Sequence, residues 1–225
     1  MGVGAPIYPV GLVVKGQPCL VVGGGHVAAR KIEGLLACGA AVTMVAPEVH
    51  EAIGALAGSG AIAAIDEPPL DVRLRPYQPG EAAGYRLVVA ATGDARVDDA
   101  VYRDATGAGV WVNVADDATR CTVVLPAVAR DGPVTVSVST GGASPALAGW
   151  LRDRVVDALG PGLGELATLL EEGRRRVHER GGSTEAIDWR SVLDGPLPAL
   201  VRDGRAAEAR AVLDAFLGDR ASPPS

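Results

Sequence analysis

The sequence predicts an α/β fold, in which a doubly wound parallel sheet is followed by a small strand-containing region and a helical C-terminal domain. Short apolar segments alternate with helical patterns through the first half of the chain. A run of three glycines joins the first apolar segment to the first helical pattern, and the last third of the chain has helical periodicity. These observations predict domains at residues 1–113, 114–145 and 146–225.

Composition excludes several classes of protein. Hydrophobic residues make up 48% and charged residues 21% of the 225 residues, values that are typical of globular proteins and not of disordered ones. The net charge of −6 argues against a nucleic-acid-binding surface. No apolar run approaches the roughly 18 to 20 residues that cross a bilayer, so we expect a cytoplasmic protein. The cysteines Cys19, Cys38 and Cys121 are too far apart to predict a disulfide framework, and we expect them to pack in the interior.

The first three elements form a βαβ unit. Residues 18–22 predict a buried strand, Gly23 to Gly25 a turn, residues 27–38 a helix that ends at Gly39, and residues 41–46 a second buried strand. A strand, a helix and a second strand in this order predict two parallel strands with a right-handed crossover.

The alternation continues to residue 114. We predict a helix through Ile53 and Leu56, a strand at residues 62–65, and a proline-rich connection from Pro68 to Pro79. A strand at residues 87–91, a helix at 97–106 and a strand at 110–114 follow. Five strands that alternate with helices predict a doubly wound sheet.

The pattern changes after residue 114. Residues 122–126 and 134–139 have strand character and flank a turn at residues 131–133, which predicts a dimerisation or substrate-binding element. From Pro145 onward apolar residues recur at four-residue spacing, as in Leu147, Leu151 and Val155, which predicts helices.

The glycine turn carries a dinucleotide-binding motif. Gly23, Gly25 and Ala28 match the G-x-G-x-x-G/A pattern of a Rossmann-type domain, in which the glycines allow a tight turn and close approach of a pyrophosphate. The alternative is that these glycines only form the turn. Beyond the second strand, Glu48 is placed to contact the ribose hydroxyls of NAD, and no nearby Arg or Lys suits the 2′-phosphate of NADP. Glu48 is equally suited to be a charge at a helix N-terminus.

Two further motifs follow the nucleotide-binding pattern. Asp116 and Asp117 lie beyond the last strand, where a doubly wound sheet binds its ligands, so one of them is a candidate general base. The alternative is a pair of capping or solvated aspartates. Residues 140–145 are either a capped helix start, with Ser144 as the N-cap, or an anion-binding loop.

Five segments together resemble the precorrin-2 dehydrogenase family, the dehydrogenase and ferrochelatase module of siroheme synthases. They are Gly23-Gly24-Gly25-His26-Val27-Ala28 with Arg30-Lys31, Val45-Ala46-Pro47-Glu48, Ala90-Ala91-Thr92-Gly93-Asp94, Asn113-Val114-Ala115-Asp116, and Ser139-Thr140-Gly141-Gly142-Ala143-Ser144-Pro145. The resemblance covers residues 7–158. It implies NAD-dependent oxidation of precorrin-2 to sirohydrochlorin by a homodimer.

The resemblance also implies roles for individual residues. Asp116 is the implied catalytic residue. The implied cofactor contacts, to which we add Gly23 from the motif and Thr92 from a matching segment, are Gly24, Gly25, His26, Val27, Pro47 and Glu48. For the substrate we expect the loop residues Thr140, Gly141, Gly142 and Ser144. Its carboxylates need an Arg cluster, for which the candidates are Arg120, Arg130, Arg152 and Arg154, with Arg120 and Arg152 preferred. His26, His50 and His178 are too dispersed to predict a metal site.

Three positions depart from the family pattern. The helix after Asp94 often carries Val-Asn and here has Val97-Asp98, the strand after Asp116 often starts with Phe and here the region is Cys121-Thr122-Val123, and Thr140 replaces a serine that is phosphorylated in some members. Two alternative functions remain: an enzyme that also inserts Fe²⁺ or Co²⁺ into sirohydrochlorin, and an NAD-sensing regulatory module without turnover. We expect a stand-alone form without the fused methyltransferase domain of longer siroheme synthases.

Overall fold

The computed structural model describes residues 6–51, 53–54 and 70–218. The chain divides into two compact units, one of residues 1–125 with 141–143 and the other of residues 126–140 with 144–225. The predicted domain boundary at residue 113 falls inside the first unit.

The first unit is built on a five-stranded parallel sheet. Its strands are β1 (Pro18–Val22), β2 (Ala41–Ala46), β3 (Leu70–Leu74), β4 (Leu87–Ala90) and β5 (Trp111–Val114). Their order across the sheet is β3-β2-β1-β4-β5, and every neighbouring pair is parallel. The order reverses between β1 and β4, which is where a doubly wound sheet opens a crevice at the carboxyl ends of its strands. The predicted fold class is confirmed.

Two apolar cores cover the two faces of this sheet. Val21 and Val89 contribute to the core that contains the buried face of α1 (His26–Leu36), whereas Leu20 and Val88 contribute to the core that contains α2 (Ala95–Gly107). Because successive side chains of a strand point to opposite faces, the almost uninterrupted apolar sequence of β1 and β4 buries both faces of each strand.

The edge strand β3 corrects the prediction for residues 68–79. These residues were expected to form a proline-rich connection, but Leu70, Val72 and Leu74 alternate with polar residues in a strand that pairs with β2. An edge strand tolerates polar residues on its exposed side, and the flanking prolines lie outside its five residues. The predicted strand at 62–65 falls outside the described residues, as does Leu56 of the predicted helix, whereas Ile53 of that helix is helical and buried.

The prediction that residues 122–126 form a strand beside the turn is also wrong, because these residues are not a strand of the hairpin. The Thr122 N–H donates to the Val112 carbonyl at 2.9 Å, and the Val112 N–H donates to the Thr122 hydroxyl at 2.8 Å. The segment therefore satisfies polar groups on the outer edge of β5, which extends the first unit to residue 125. The hairpin itself pairs β6 (Ala127–Asp131) with β7 (Val134–Val138) through a turn at Gly132 and Pro133.

The second unit also contains helices, as predicted from residue 145 onward. They are α3 (Pro145–Leu159), α4 (Leu163–Glu179), α5 (Trp189–Leu193), α6 (Leu197–Arg202) and α7 (Ala206–Gly218). Leu169, Leu197 and Leu213 pack together in their core. In the part of the chain that the structure describes, we find no helix with the length and apolar composition of a membrane span.

Candidate active site

The glycine turn lies between the ends of three strands. Gly23 has a φ of +126°, and a Cβ on it would collide with the carbonyl oxygen of Ala91. Its N–H donates to the Val45 carbonyl at 2.9 Å. The backbone conformation and this close approach both require glycine, so the turn itself accounts for Gly23.

The next two glycines differ in their surroundings. A Cβ on Gly24 would collide with the Glu48 carbonyl oxygen, whereas a Cβ on Gly25 would meet no atom of residues 6–51, 53–54 or 70–218 within 4 Å. Packing therefore accounts for Gly24 but not for Gly25. Gly25 is the N-cap of α1, and among the described residues no side chain caps the first backbone N–H groups of the helix, which leaves them available to a ligand. This arrangement fits a pyrophosphate group.

The remaining residues predicted near the glycine turn lie at the same edge of the sheet. Pro47 and Glu48 follow β2 and are exposed, as are His26 and Val27 in the first turn of α1. The His26 and His50 rings are 3.7 Å apart between centroids, because the His50 N–H donates to the Gly24 carbonyl at 2.8 Å and so draws its loop to the glycine turn. The spacing of these two histidines in the sequence did not predict that their rings lie together.

The loop after β4 borders the glycine turn from the other side. The Thr92 hydroxyl is 2.7 Å from Oδ1 of Asp98, to which it donates, and it accepts from the Asp94 N–H at 3.0 Å. Thr92 is therefore bonded to Asp94 in its own loop and to Asp98 in the helix that follows, α2. Its predicted role as a cofactor contact stays a prediction.

The structure distinguishes the two aspartates beyond β5. Asp117 accepts from the Thr119 N–H at 3.0 Å and from the Thr119 hydroxyl, and these bonds hold the pKa of its carboxyl below the usual range. It caps the short 3₁₀ turn Ala118–Arg120. Asp116 is exposed and has a φ of +62°, the one positive φ of a non-glycine among the described residues. Asp117 thus has a structural role, whereas Asp116 is held in an uncommon conformation with its carboxylate free for chemistry.

Buried polar groups fix the segment that carries Asp116. The Asn113 side-chain amide donates to the Val123 carbonyl at 3.0 Å, and the Cys121 thiol lies 3.3 Å from the Asp117 carbonyl and 3.4 Å from that of Val114. Burial raises the pKa of Cys121, and it raises the pKa of Cys19 to about 11. Both thiols therefore remain protonated near neutral pH, as expected for cysteines that pack. Cys38 is exposed, so the expectation that it packs in the interior is wrong.

Lys31 is a charged residue near Asp116 to which the sequence analysis assigned no role. It lies half-buried on α1, where burial lowers its pKa and the charge of Arg30 lowers it further. Asp116 opposes this shift, so the ammonium group and the carboxylate are within electrostatic reach of each other. The only signal in the sequence was the basic pair after the glycine motif, which reads equally well as a solvated helix face.

The predicted substrate loop is closed by its own hydrogen bonds. The Thr140 hydroxyl accepts from the Ser144 N–H at 3.0 Å and donates to the Ser144 carbonyl at 3.0 Å, while the Ser144 hydroxyl caps α3 by accepting from the Leu147 N–H at 3.2 Å. Gly141 and Gly142 have φ values of +62° and +86°. The capped helix start is present, and substrate binding by this loop stays a prediction.

The arginines expected to bind carboxylates have partners nearby. Arg120 lies 3.6 Å from Asp117 and 3.7 Å from Asp99, and Arg152 lies 2.6 Å from Asp153. Arg154 lies over the ring of Trp150 at 5.7 Å from its centroid, and Arg130 is exposed. Within each unit, the contacts of these four arginines do not bring them together into a cluster. The described residues also contain no group of three His, Cys, Asp or Glu placed to hold a metal ion.

Comparison with known protein families identifies all three regions of the chain. A family model described as NAD(P)-binding matches residues 10–127. The model of the central region of sirohaem biosynthesis proteins matches residues 131–158, and that of the sirohaem synthase dimerisation region matches residues 162–217.

Individual proteins show the same similarity. The siroheme synthase of Methylococcus capsulatus is 39% identical over 207 residues, which are 91% of this chain and 42% of that protein. The siroheme synthase of Nitrosococcus oceani is 38% identical over 211 residues, 93% of this chain and 43% of that protein. The chain thus spans less than half the length of these curated relatives.

One solved structure is similar to this chain over nearly the whole length of both proteins. The precorrin-2 dehydrogenase SirC superposes with a TM-score of 0.68 at 26% sequence identity, covering 93% of this chain and 98% of SirC. The glycine turn, the parallel sheet and the three family models agree, and the chain belongs to the sirohaem synthase family, of which it has the NAD(P)-binding, central and dimerisation regions.

Proposed function

We propose that this protein oxidises precorrin-2 to sirohydrochlorin with NAD⁺ as the acceptor. The observation that carries the proposal is the position of Asp116, an exposed carboxylate at the carboxyl edge of the same sheet whose glycine turn fits a dinucleotide. The similarity to SirC supports the choice of substrate.

The residues around the glycine turn would hold the cofactor. The backbone N–H groups at the start of α1 would donate to the pyrophosphate in the space beside Gly25. Glu48, exposed beyond β2, would accept hydrogen bonds from the ribose hydroxyls. When bound, NAD⁺ supplies the acceptor for the hydride that leaves the macrocycle.

Asp116 would remove the proton. Dehydrogenation takes a hydride from one position of precorrin-2 and a proton from another, so that precorrin-2 and NAD⁺ give sirohydrochlorin, NADH and H⁺. A carboxylate that forms no hydrogen bond or ion pair among the described residues is free to accept that proton and release it to water. Conjugation in the product supplies much of the driving force, so the protein chiefly positions the reactants.

The proposal is tested by mixing purified protein with NAD⁺ and precorrin-2 in the absence of oxygen and recording the absorbance of NADH and of sirohydrochlorin. We expect both to increase together, one NADH for each macrocycle. Binding of NAD⁺ without any NADH formation would instead support the regulatory alternative and refute the proposed enzyme.

Iron or cobalt insertion is a second activity implied by the resemblance, and the same carboxylate is suited to remove the pyrrole protons that metal insertion displaces. Anaerobic incubation of sirohydrochlorin with Fe²⁺, with wild-type protein, with Asp116→Asn or with no protein, would test it. Insertion no faster than in the protein-free sample would exclude chelation.

We further propose that the protein acts in the cytoplasm as a homodimer assembled through its second unit. The match to a dimerisation region over residues 162–217 supports this. Apolar side chains are also exposed along α3, where Leu147, Trp150 and Leu159 are 47%, 58% and 44% exposed. Trp150 and Leu159 lie on opposite sides of the helix, so the exposed apolar side chains are distributed around α3, and exposure of this kind is typical of a helix that a second subunit covers.

A further inference from the structure

We propose that Asp98 is a positioning residue for the cofactor, because it holds the loop after β4 against the glycine turn. This inference rests on the proposed function for the identity of the cofactor. Asp98 is 7% exposed and lies in the first turns of α2.

Asp98 is the centre of a closed set of hydrogen bonds. Its Oδ1 accepts from the Thr92 hydroxyl at 2.7 Å and from the Thr92 N–H at 3.3 Å. The Thr92 hydroxyl in turn accepts from the Asp94 N–H at 3.0 Å, and the Asp98 N–H donates to the Asp94 carbonyl at 2.9 Å. One side chain therefore determines the path of the loop from Thr92 to Asp94.

Capping of α2 does not account for Asp98. Asp94 is already the N-cap, and its side chain accepts from the Arg96 N–H at 2.9 Å. Burial of a carboxyl group is costly unless donors compensate for the lost water. At Asp98 the compensating donors come from Thr92, so the burial of this carboxyl is coupled to the position of that loop.

The loop that Asp98 holds is one wall of the cofactor crevice. The Ala91 carbonyl oxygen lies in the space that a side chain of Gly23 would fill, and the Thr92 nitrogen lies 3.2 Å from that same point. The Ala91 N–H donates to the Val22 carbonyl at 2.8 Å, which anchors the start of the loop to β1. From Thr92 onward the anchor is Asp98. Without Asp98, the loop beside the glycine turn is held only at Ala91. Binding of the cofactor must then order the rest of the loop, which lowers the affinity.

Binding of NAD⁺ by titration calorimetry tests the role of Asp98 without substrate. For Asp98→Ala we expect the Kd of NAD⁺ to rise about 10-fold, the effect of losing hydrogen bonds to a charged group, with kcat at saturating NAD⁺ changed less than about 2-fold. For Asp98→Asn, whose amide oxygen still accepts from the Thr92 hydroxyl, we expect a Kd within about 3-fold of wild type. Glu33→Ala, which removes a charge from the exposed side of α1, is the matched control and should bind as wild type does.

A second variant tests the same bond from the other partner. Thr92→Val should weaken NAD⁺ binding as Asp98→Ala does, and the double variant should be no weaker than either single variant, since all of them remove one interaction. Thr92→Val also keeps the test valid if Asp98→Ala does not fold. Wild-type affinity in either single variant, or additive losses in the double variant, would overturn the inference. If wild-type protein binds NAD⁺ but does not oxidise precorrin-2, the proposed function fails while the role of Asp98 is still measured by these affinities.

Discussion

Replacing Asp116 by asparagine removes the proposed base with little change in structure. Asparagine tolerates the left-handed conformation that Asp116 adopts at a φ of +62°, and among the described residues no hydrogen bond or ion pair to the carboxylate is lost. We therefore expect wild-type stability and an unchanged Kd for NAD⁺. A positioned base contributes about 10² to 10⁴ in rate, so kcat should fall by that factor, which corresponds to a barrier higher by about 3–5 kcal/mol.

The assay is single-turnover oxidation of precorrin-2 at saturating NAD⁺, with NADH absorbance as the readout. Asp117→Asn is the matched control, because it changes the adjacent carboxylate and weakens the cap on the Ala118–Arg120 turn. The control should lower the unfolding midpoint and leave most of the turnover. If Asp116→Asn retains wild-type turnover, or if both variants lose it equally, the assignment of Asp116 as the base is wrong.

Three further predictions concern the glycine turn, the half-buried lysine and the dimer. Gly25→Ala should fold normally but bind NAD⁺ at least about 10-fold more weakly, because its methyl group enters the space beside α1 that is open among the described residues, whereas Gly24→Ala should melt at a lower temperature, because its methyl group collides with the backbone. Thermal melts and calorimetry distinguish these effects, and wild-type NAD⁺ affinity in Gly25→Ala would contradict the interpretation. The pKa of Lys31 is lowered in the folded state, so between its folded and unfolded pKa values the unfolded chain binds the extra proton and stability rises with pH. Lys31→Met should flatten that rise and increase the melting temperature at neutral pH by a few degrees, and a lower melting temperature would refute this prediction. Trp150→Asp should shift the protein from dimer to monomer in sedimentation experiments, while Trp111→Gln, at a position that is 45% exposed on β5, should leave the dimer intact.

The sequence predicted most of the nucleotide-binding unit because its signals are local. The strands β1, β2 and β4 are continuous apolar segments, and the glycine turn and the start of α1 follow directly from residues 23–28. The strand β3 was missed because its alternation of apolar and polar residues covers only five positions, and the prolines before and after it suggested a connection. Residues 122–125 were misassigned because a β-branched segment can satisfy a sheet edge without pairing in a ladder.

The candidate site was predicted as positions along the chain and not as contacts. The carboxyl edge was expected to collect residues 23–27, 47–48 and 116, and in the parallel sheet all of them follow directly after the carboxyl ends of its strands, in loops or in the first turn of α1. Their position beyond β5 did not separate Asp116 from Asp117, and only the family resemblance favoured Asp116; in the structure they differ by a backbone dihedral angle and a cap. The sequence also could not identify Lys31 or Asp98, whose roles depend on burial and on partners that lie in other elements.

The amino-acid sequence by itself determined the order of the elements, the glycine turn and the identity of the family, since alternation, periodicity and short motifs are properties of neighbouring residues. Only the tertiary structure decided which aspartate forms no hydrogen bond among the described residues, which glycine has room for a side chain there, and which carboxyl group is buried against the loop after β4. Those properties depend on distances between residues that are remote along the chain, and packing of the sheet against its helices determines those distances.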